Sequence, residues 1–211
     1  MLLKEIATLQ AGVLTNRVLY DARSGDKKDN EADGKKRERS NKPVLILIPK
    51  AIHDGAVDHK LVEEQELIID PRTGEAKNVD DFKTRIGDIV IKLSSPYDAC
   101  VITESDTGLL IPSFCLRIGK LADDRVDRDF LLAFFSSTVF LGELRKKCYG
   151  TVTALAKKSD FEKIDVPDIP LEKQIEIGKR FRKVETLKSQ VKKYCSLEKE
   201  RLDRILEAQK C

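Results

Sequence analysis

The sequence predicts an α+β protein: a β-rich domain on a mixed or curved sheet with packed helices, followed by one long C-terminal α-helix. Three observations carry this. Short apolar runs recur about every ten residues between Val44 and Gly119, the rhythm of successive strands. The apolar spacing then turns helical from Asp127 to Cys148. After Pro170 the chain runs to Cys211 without another proline.

Within residues 1–22, the segment LLKEIATLQAG reads equally well as strand or helix. Arg23–Lys42 has no aliphatic side chain larger than Ala, so it cannot bury enough apolar surface to offset its ordering entropy, and it is expected as a charged mobile loop. VLILIP (Val44–Pro49) is a continuous apolar run closed by prolines, as a buried strand would be. ELIID (Glu66–Asp70) precedes the turn-like PRTG, and IGDIVIKL (Ile86–Leu93) starts from a Gly-Asp turn. ACVIT (Ala99–Thr103), GLLIP (Gly108–Pro112) and FCLRIG (Phe114–Gly119) complete the strand set. Asp127–Cys148 reads as one helix, with Asp127 and Asp129 in its first turn and Arg145, Lys146 and Lys147 in its last, matching the helix dipole. Tyr149–Phe161 reads as loop or strand. Pro167 and Pro170 keep Lys163–Pro170 extended.

From Leu171 onward about 40 residues form a helix of roughly 60 Å, too long to pack wholly on so small a domain. Ile177, Phe181, Val184, Val191, Cys195, Leu202 and Ile205 fall at coiled-coil spacing, interrupted by Lys188 and Glu198. The stripe calls for a partner helix. The expected boundaries are therefore 1–168 for the domain and 169–211 for a dimerisation helix.

Charged residues make up 36% of the chain, well above the usual ~25%. The net charge of +3 is unevenly placed: residues 171–211 hold twelve basic and seven acidic groups, against 27 and 29 in the remainder. A basic helix beside a near-neutral domain does not by itself identify a nucleic-acid binder. The five cysteines form no C-x-x-C pair, and no apolar stretch reaches the ~20 residues that span a bilayer. Reduced thiols, no membrane segment and a cytoplasmic location are expected.

Catalytic signatures are missing. His53 and His59 stand six apart with no cysteine near, which is not a metal-helix spacing. Asp70 and Glu75-Ala-Lys77 resemble a nuclease pattern but lie within one turn. Ser94-Ser95-Pro96-Tyr97 resembles an adenine-methyltransferase loop without the amide that would hold the base. Neither a phosphate-binding loop nor a nucleophile elbow is present. No cofactor or metal is expected.

Several segments, in order, resemble the specificity subunits of type I restriction–modification systems. They are Leu3-Lys4-Glu5-Ile6-Ala7, Ile48–Ile52 with Gly55-Ala56-Val57, Gly87-Asp88-Ile89-Val90, Phe130–Ser137, and Val166–Gln174 followed by Ile177. The last is the most specific, although Ile169 and Lys173 depart from the commonest form. Members of that family usually carry two recognition domains and two long helices; this sequence has one of each and resembles a half subunit.

The resemblance implies a non-catalytic target-recognition domain that reads one half-site of double-stranded DNA. It implies a C-terminal helix pairing antiparallel in a homodimer, methyltransferase subunits docked on the helices, and a separate restriction subunit. Lys50, Lys92, Ser94, Ser95 and Tyr97, and in the next loop Tyr149, Thr151, Thr153, Lys157 and Lys158, are the candidate DNA contacts. Ile177, Phe181, Val184, Val191, Cys195, Leu202 and Ile205 are the candidate helix interface. Two other readings stay open: a coiled-coil protein-interaction adaptor, and a small nuclease using Asp70 and Glu75.

Overall fold

Ile89, Val90 and Ile91 are each fully buried, so the strand they form has apolar cover on both faces. In the computed structural model, which describes residues 1–20, 38–70, 72–147 and 155–208, this strand is central to a four-stranded sheet. In chain order the elements are α1 (Leu3–Ile6), β1 (Thr8–Ala11), α2 (Thr15–Val18), β2 (Arg39–Ile46), β3 (Ile52–His53), β4 (Ala56–Val57) and β5 (Glu63–Ile68). Then come β6 (Ile89–Lys92), β7 (Ala99–Val101), β8 (Cys115–Gly119), α3 (Arg128–Phe135), α4 (Thr138–Lys147), α5 (Lys158–Phe161) and α6 (Leu171–Ala208). Among the described residues no helix is long and apolar enough to cross a membrane.

The sheet runs β1-β8-β6-β7, with Leu9 opposite Ile118, Ile89 opposite Ile118 and Val90 opposite Cys100. β2 pairs with β5, and β3 with β4. All these pairings are antiparallel; among the described residues parallel pairing is confined to the isolated bridges Val13–Pro112 and Ile46–Leu110. Alternation along β6 divides the core. Ile89 and Ile91 face the helices with Leu116, Ile118, Leu131 and Phe140, while Val90 faces Cys100, Cys115, Leu47 and Ile52. A third cluster fills the space under β2 and β5 with Val44, Ile46, Leu67 and Leu110.

Five expectations need correction. Lys158–Phe161, read as part of a loop or strand, form the short helix α5. Arg39–Lys42, read as the end of a charged loop, lie in β2, where Arg39 opposes Ile68 and its guanidinium sits 4.2 Å over the Tyr20 ring. The rest of that loop falls largely outside the described residues. The Val44–Pro49 run leaves the strand at Ile46, and Pro49 opens a 3-10 turn. Gly108–Pro112 is buried but forms only single bridges, because Leu110 inserts into one core while Leu109 and Ile111 insert into another.

The helix expected over Asp127–Cys148 is two helices. Ser136 donates to the Leu132 carbonyl, whereas the Ser137 hydroxyl donates to the Phe134 carbonyl (2.6 Å) and accepts from the Phe140 N–H (3.2 Å). One helix therefore ends and the next is capped within two residues. The bend lets Phe140 enter the core, its ring centroid 5.2 Å from Phe135 and 5.9 Å from Phe161.

Candidate nucleic-acid interface

One end of the sheet gathers two of the candidate segments. Leu93, just after β6, donates its N–H to the Phe114 carbonyl (2.9 Å) and accepts at its carbonyl from Ala156 (2.8 Å). The loop Ser94–Tyr97, the residue before β8 and the approach to α5 are thereby laid side by side. Ser95 is exposed at the loop tip, and so are Lys157 and Lys158. The Lys157 backbone N–H caps onto Asp160 (2.8 Å), leaving its side chain outward, while Lys158 lies 3.4 Å from Glu162. Tyr149, Thr151 and Thr153 fall outside the described residues.

Two candidates in the loop are committed to its architecture. Lys92 is only 11% exposed and its Nζ lies 2.7 Å from Asp98, so the pair staples the two stems of the loop. Tyr97 takes a left-handed backbone (φ 58°) and stacks edge-on against Phe140 at 6.4 Å, which ties the loop to the aromatic core. Their geometry makes them supports, and the exposed tip at Ser95 is what a ligand would meet. Lys50 is exposed but lies elsewhere: its turn packs through Ala51 and Ile52 on the core beneath the opposite face of the sheet. The structure does not bring it to this edge.

Phe114 was not among the sequence candidates, although it is 51% exposed beside this loop. Its position within an apolar run made it read as a buried strand residue. Leu155, 43% exposed, flanks the same junction next to Ala156. Arg145 and Lys146 are exposed at the end of α4, Lys146 lying 2.6 Å from Glu143. The edge thus presents the exposed Lys157 and Lys158 beside the exposed Phe114 and Leu155.

Of the acidic pair of the nuclease reading, Asp70 is engaged in ion pairing and turn hydrogen bonds. Asp70 accepts from Lys77 (2.7 Å) and from the Arg72 N–H (2.9 Å), and the Lys77 hydrogen bond holds its carboxyl below the usual range. His53 contacts Asp54 and Asp58, and His59 lies 2.7 Å from Asp106. Among the described residues no group of three or more His, Cys, Asp or Glu could hold a metal ion. Cys100 and Cys115 face one buried cluster, and burial pushes the Cys115 thiol up to about 12.

The long helix joins the domain through a built contact. Gln174, 1% exposed, accepts from the Asp127 N–H (2.9 Å) and donates to the carbonyls of Arg125 (3.0 Å) and Ile169 (2.9 Å). One turn on, a Cβ at Gly178 would stand 2.7 Å from Asp127 Oδ1 and 2.8 Å from Asp129 Cβ, so only glycine permits this close crossing of α3. Arg182 then donates to Asp129 (2.7 Å), and Lys192 reaches Asp54 in the β3–β4 turn (2.8 Å). Ile177 and Phe181, expected at a helix–helix interface, pack against this chain's own core. Val184, Val191, Cys195, Leu202 and Ile205 are exposed.

No protein-family model matches this sequence, and no curated protein does. Solved structures do. The HsdS subunit from Thermoanaerobacter tengcongensis aligns over 91% of this chain at a TM-score of 0.50 and 18% identity. A chain from the structural work on complex assembly and conformational transition of the type I R-M system aligns over 92% at 0.52 and 17% identity. This chain has the HsdS fold. It covers 45% and 46% of those two chains, about half the length of each.

Within the HsdS fold the alignment takes in both the β-rich domain and most of the long helix, since so little of the chain lies outside it. The Pro170–Gln174 segment, the most specific part of the sequence resemblance, is the point where that helix is clamped to the domain. Its role is structural, a fact that no spacing rule announces.

Proposed function

We propose that this HsdS-fold chain is a half-size, sequence-specific DNA-recognition subunit of a type I restriction–modification system. The carrying observation is the alignment of nearly the whole chain with about half of an HsdS subunit: one domain and one long helix where the neighbour has room for two of each. The domain reads one half of a bipartite duplex site, and the long helix supports a homodimer and docks the methyltransferase subunits. Methyl transfer and cleavage belong to partner subunits, and the chain itself carries no cofactor.

The recognition edge supports this reading. Ser95 and Phe114 offer polar and apolar groups to base edges, while Lys157, Lys158 and Arg145 serve the phosphates. Recognition divides accordingly: the lysines and arginine fix the register, and the loop tip reads sequence. The stapled, core-anchored loop suits the task, since a rigid support positions such groups better than a free loop would.

The test is the affinity of the purified chain for a duplex as a function of salt. A reader making several phosphate contacts loses affinity linearly in log salt, with a slope of about −0.9 per phosphate neutralised. Lys157→Ala and Lys158→Ala should each lower that slope by about one. An absence of duplex binding at low salt would reject the proposal and favour a protein-interaction adaptor.

A further inference from the structure

We infer that Phe114 is a specificity-determining residue of the recognition edge, and that it takes the C5-methyl group of a thymine. The inference rests on the proposed reading of duplex DNA and deepens it by naming the base feature recognised. Phe114 stands in the tight turn Pro112–Cys115, closed by the Cys115 N–H donating to the Pro112 carbonyl (2.9 Å). Both end residues of that turn are buried, and the Phe114 carbonyl itself accepts from the Leu93 N–H (2.9 Å). The backbone is thus fixed on either side of a ring that is 51% exposed. An aromatic displayed on a fixed backbone loses little freedom when it binds.

The surroundings of the ring decide what it can meet. Leu155, 43% exposed, precedes Ala156, whose N–H donates to the carbonyl of the same Leu93 that holds Phe114 (2.8 Å). Two exposed apolar side chains therefore flank one buried anchor. Lys157 and Lys158, both exposed, follow at once in the chain. An apolar pair beside two lysines complements a groove with anionic walls and a methyl group on its floor.

The chemistry of the groove narrows the choice. Of the groups that distinguish base pairs in the major groove, only the thymine methyl is apolar; the others donate or accept hydrogen bonds. A ring without polar atoms gains only from the methyl. Arg, Asn and Gln, whose forked side chains read guanine or adenine, are missing from the described residues 92–98, 112–115 and 155–158. Lys92, the one basic group inside the loop after β6, is held by Asp98 (2.7 Å). The base contact left to this junction is an apolar one.

The experiment titrates the full chain against a duplex site that it has selected from a random pool, with thymine replaced by uracil one position at a time. Uracil pairs as thymine does and lacks only the methyl group. One such replacement should weaken binding about fourfold, the equivalent of one buried methyl at about 0.8 kcal/mol. Phe114→Ala should bind the thymine site at least about fourfold more weakly than the parent and no longer distinguish thymine from uracil there. Its salt slope should equal the parent's, because the ring neutralises no phosphate. Phe114→Leu keeps an apolar group in place and should retain part of the preference, and thermal melts check that both variants fold. At the same position 5-methylcytosine should bind the parent more tightly than cytosine does.

A Phe114→Ala protein that still tells thymine from uracil, or a selected site in which no single uracil weakens binding, overturns the inference. Equal losses on the thymine and uracil duplexes make the ring a wedge or a support and overturn it as well. In each of these cases salt-dependent binding of the site leaves the proposed function standing. A chain that binds no duplex even at low salt removes the proposed function and the inference with it.

Discussion

Replacing Gln174 with Ala should destabilise the protein by roughly 3 kcal/mol, because the side chain bridges three backbone groups at the root of the long helix. It is 1% exposed and bonds the Asp127 N–H and the carbonyls of Arg125 and Ile169 at 2.9–3.0 Å. Each buried backbone group left unpaired costs about 1–3 kcal/mol, and a carbonyl tolerates the loss better than an N–H. For a chain of this size that loss corresponds to a fall in Tm of roughly 6–12 °C. Gln174→Met fills the volume without the hydrogen bonds and should fare little better. Gln174→Glu retains an acceptor for Asp127 but faces two carbonyls with no donor, so at neutral pH it should be at least as damaging. Urea unfolding gives the magnitude, and amide exchange at residues 127–131 gives the location. A Gln174→Ala protein within about 0.5 kcal/mol of the parent, with unchanged exchange there, would refute the clamp.

Three further outcomes are expected. Gly178→Ala should lower stability despite Ala's helix preference of about 1 kcal/mol, because its Cβ meets the Asp127 cap and Asp129; a more stable variant in thermal melts would show that the crossing is loose. Phe140→Ala should cost about 3–5 kcal/mol and also loosen the Ser94–Tyr97 loop, read by proteolysis or exchange, since Tyr97 rests on that ring; loss of stability with an unaltered loop would separate the two. Burial raises the carboxyl of Asp88 above the ordinary 3.8, so stability linked to its protonated form is present below that value and lost as pH rises through the folded pKa. Asp88→Asn should therefore gain relative to the parent between pH 4 and pH 7 in denaturation series; a relative loss would mean that its pairing with Arg117 outweighs burial.

Legibility in the sequence follows the range of the interaction. The apolar Ile89–Ile91 run and the Gly87-Asp88 turn are local signals in their expected places, while Asp127, read within the first turn of a helix, caps it from outside. Proline spacing announced the long helix, whose residues Leu171–Ala208 carry none. The break at Ser136-Ser137 was hidden, because apolar periodicity runs through it and a serine is tolerated in a helix until its hydroxyl takes a backbone partner. Gly108–Pro112 serves two cores, and it meets its neighbours, Ile46 of β2 among them, through single bridges instead of a ladder.

At the site, the sequence pointed to the loop after β6 but not to the division of labour inside it. The pairing of Lys92 with Asp98 and the ring contact of Tyr97 depend on how the loop closes and on where α4 sits. Phe114 was obscured by the run that contains it. On the long helix, heptad spacing could not tell the residues that meet the chain's own domain, Ile177 and Phe181, from those left exposed, such as Val191 and Leu202.

Whether this chain reads duplex DNA as one half of a symmetric pair is decided by selecting binding sites from a random duplex pool with the purified chain. A symmetric pair should enrich one short half-site in inverted pairs at a constant separation. A pool that stays random, or one that yields single unpaired sites with no fixed spacing, would contradict it.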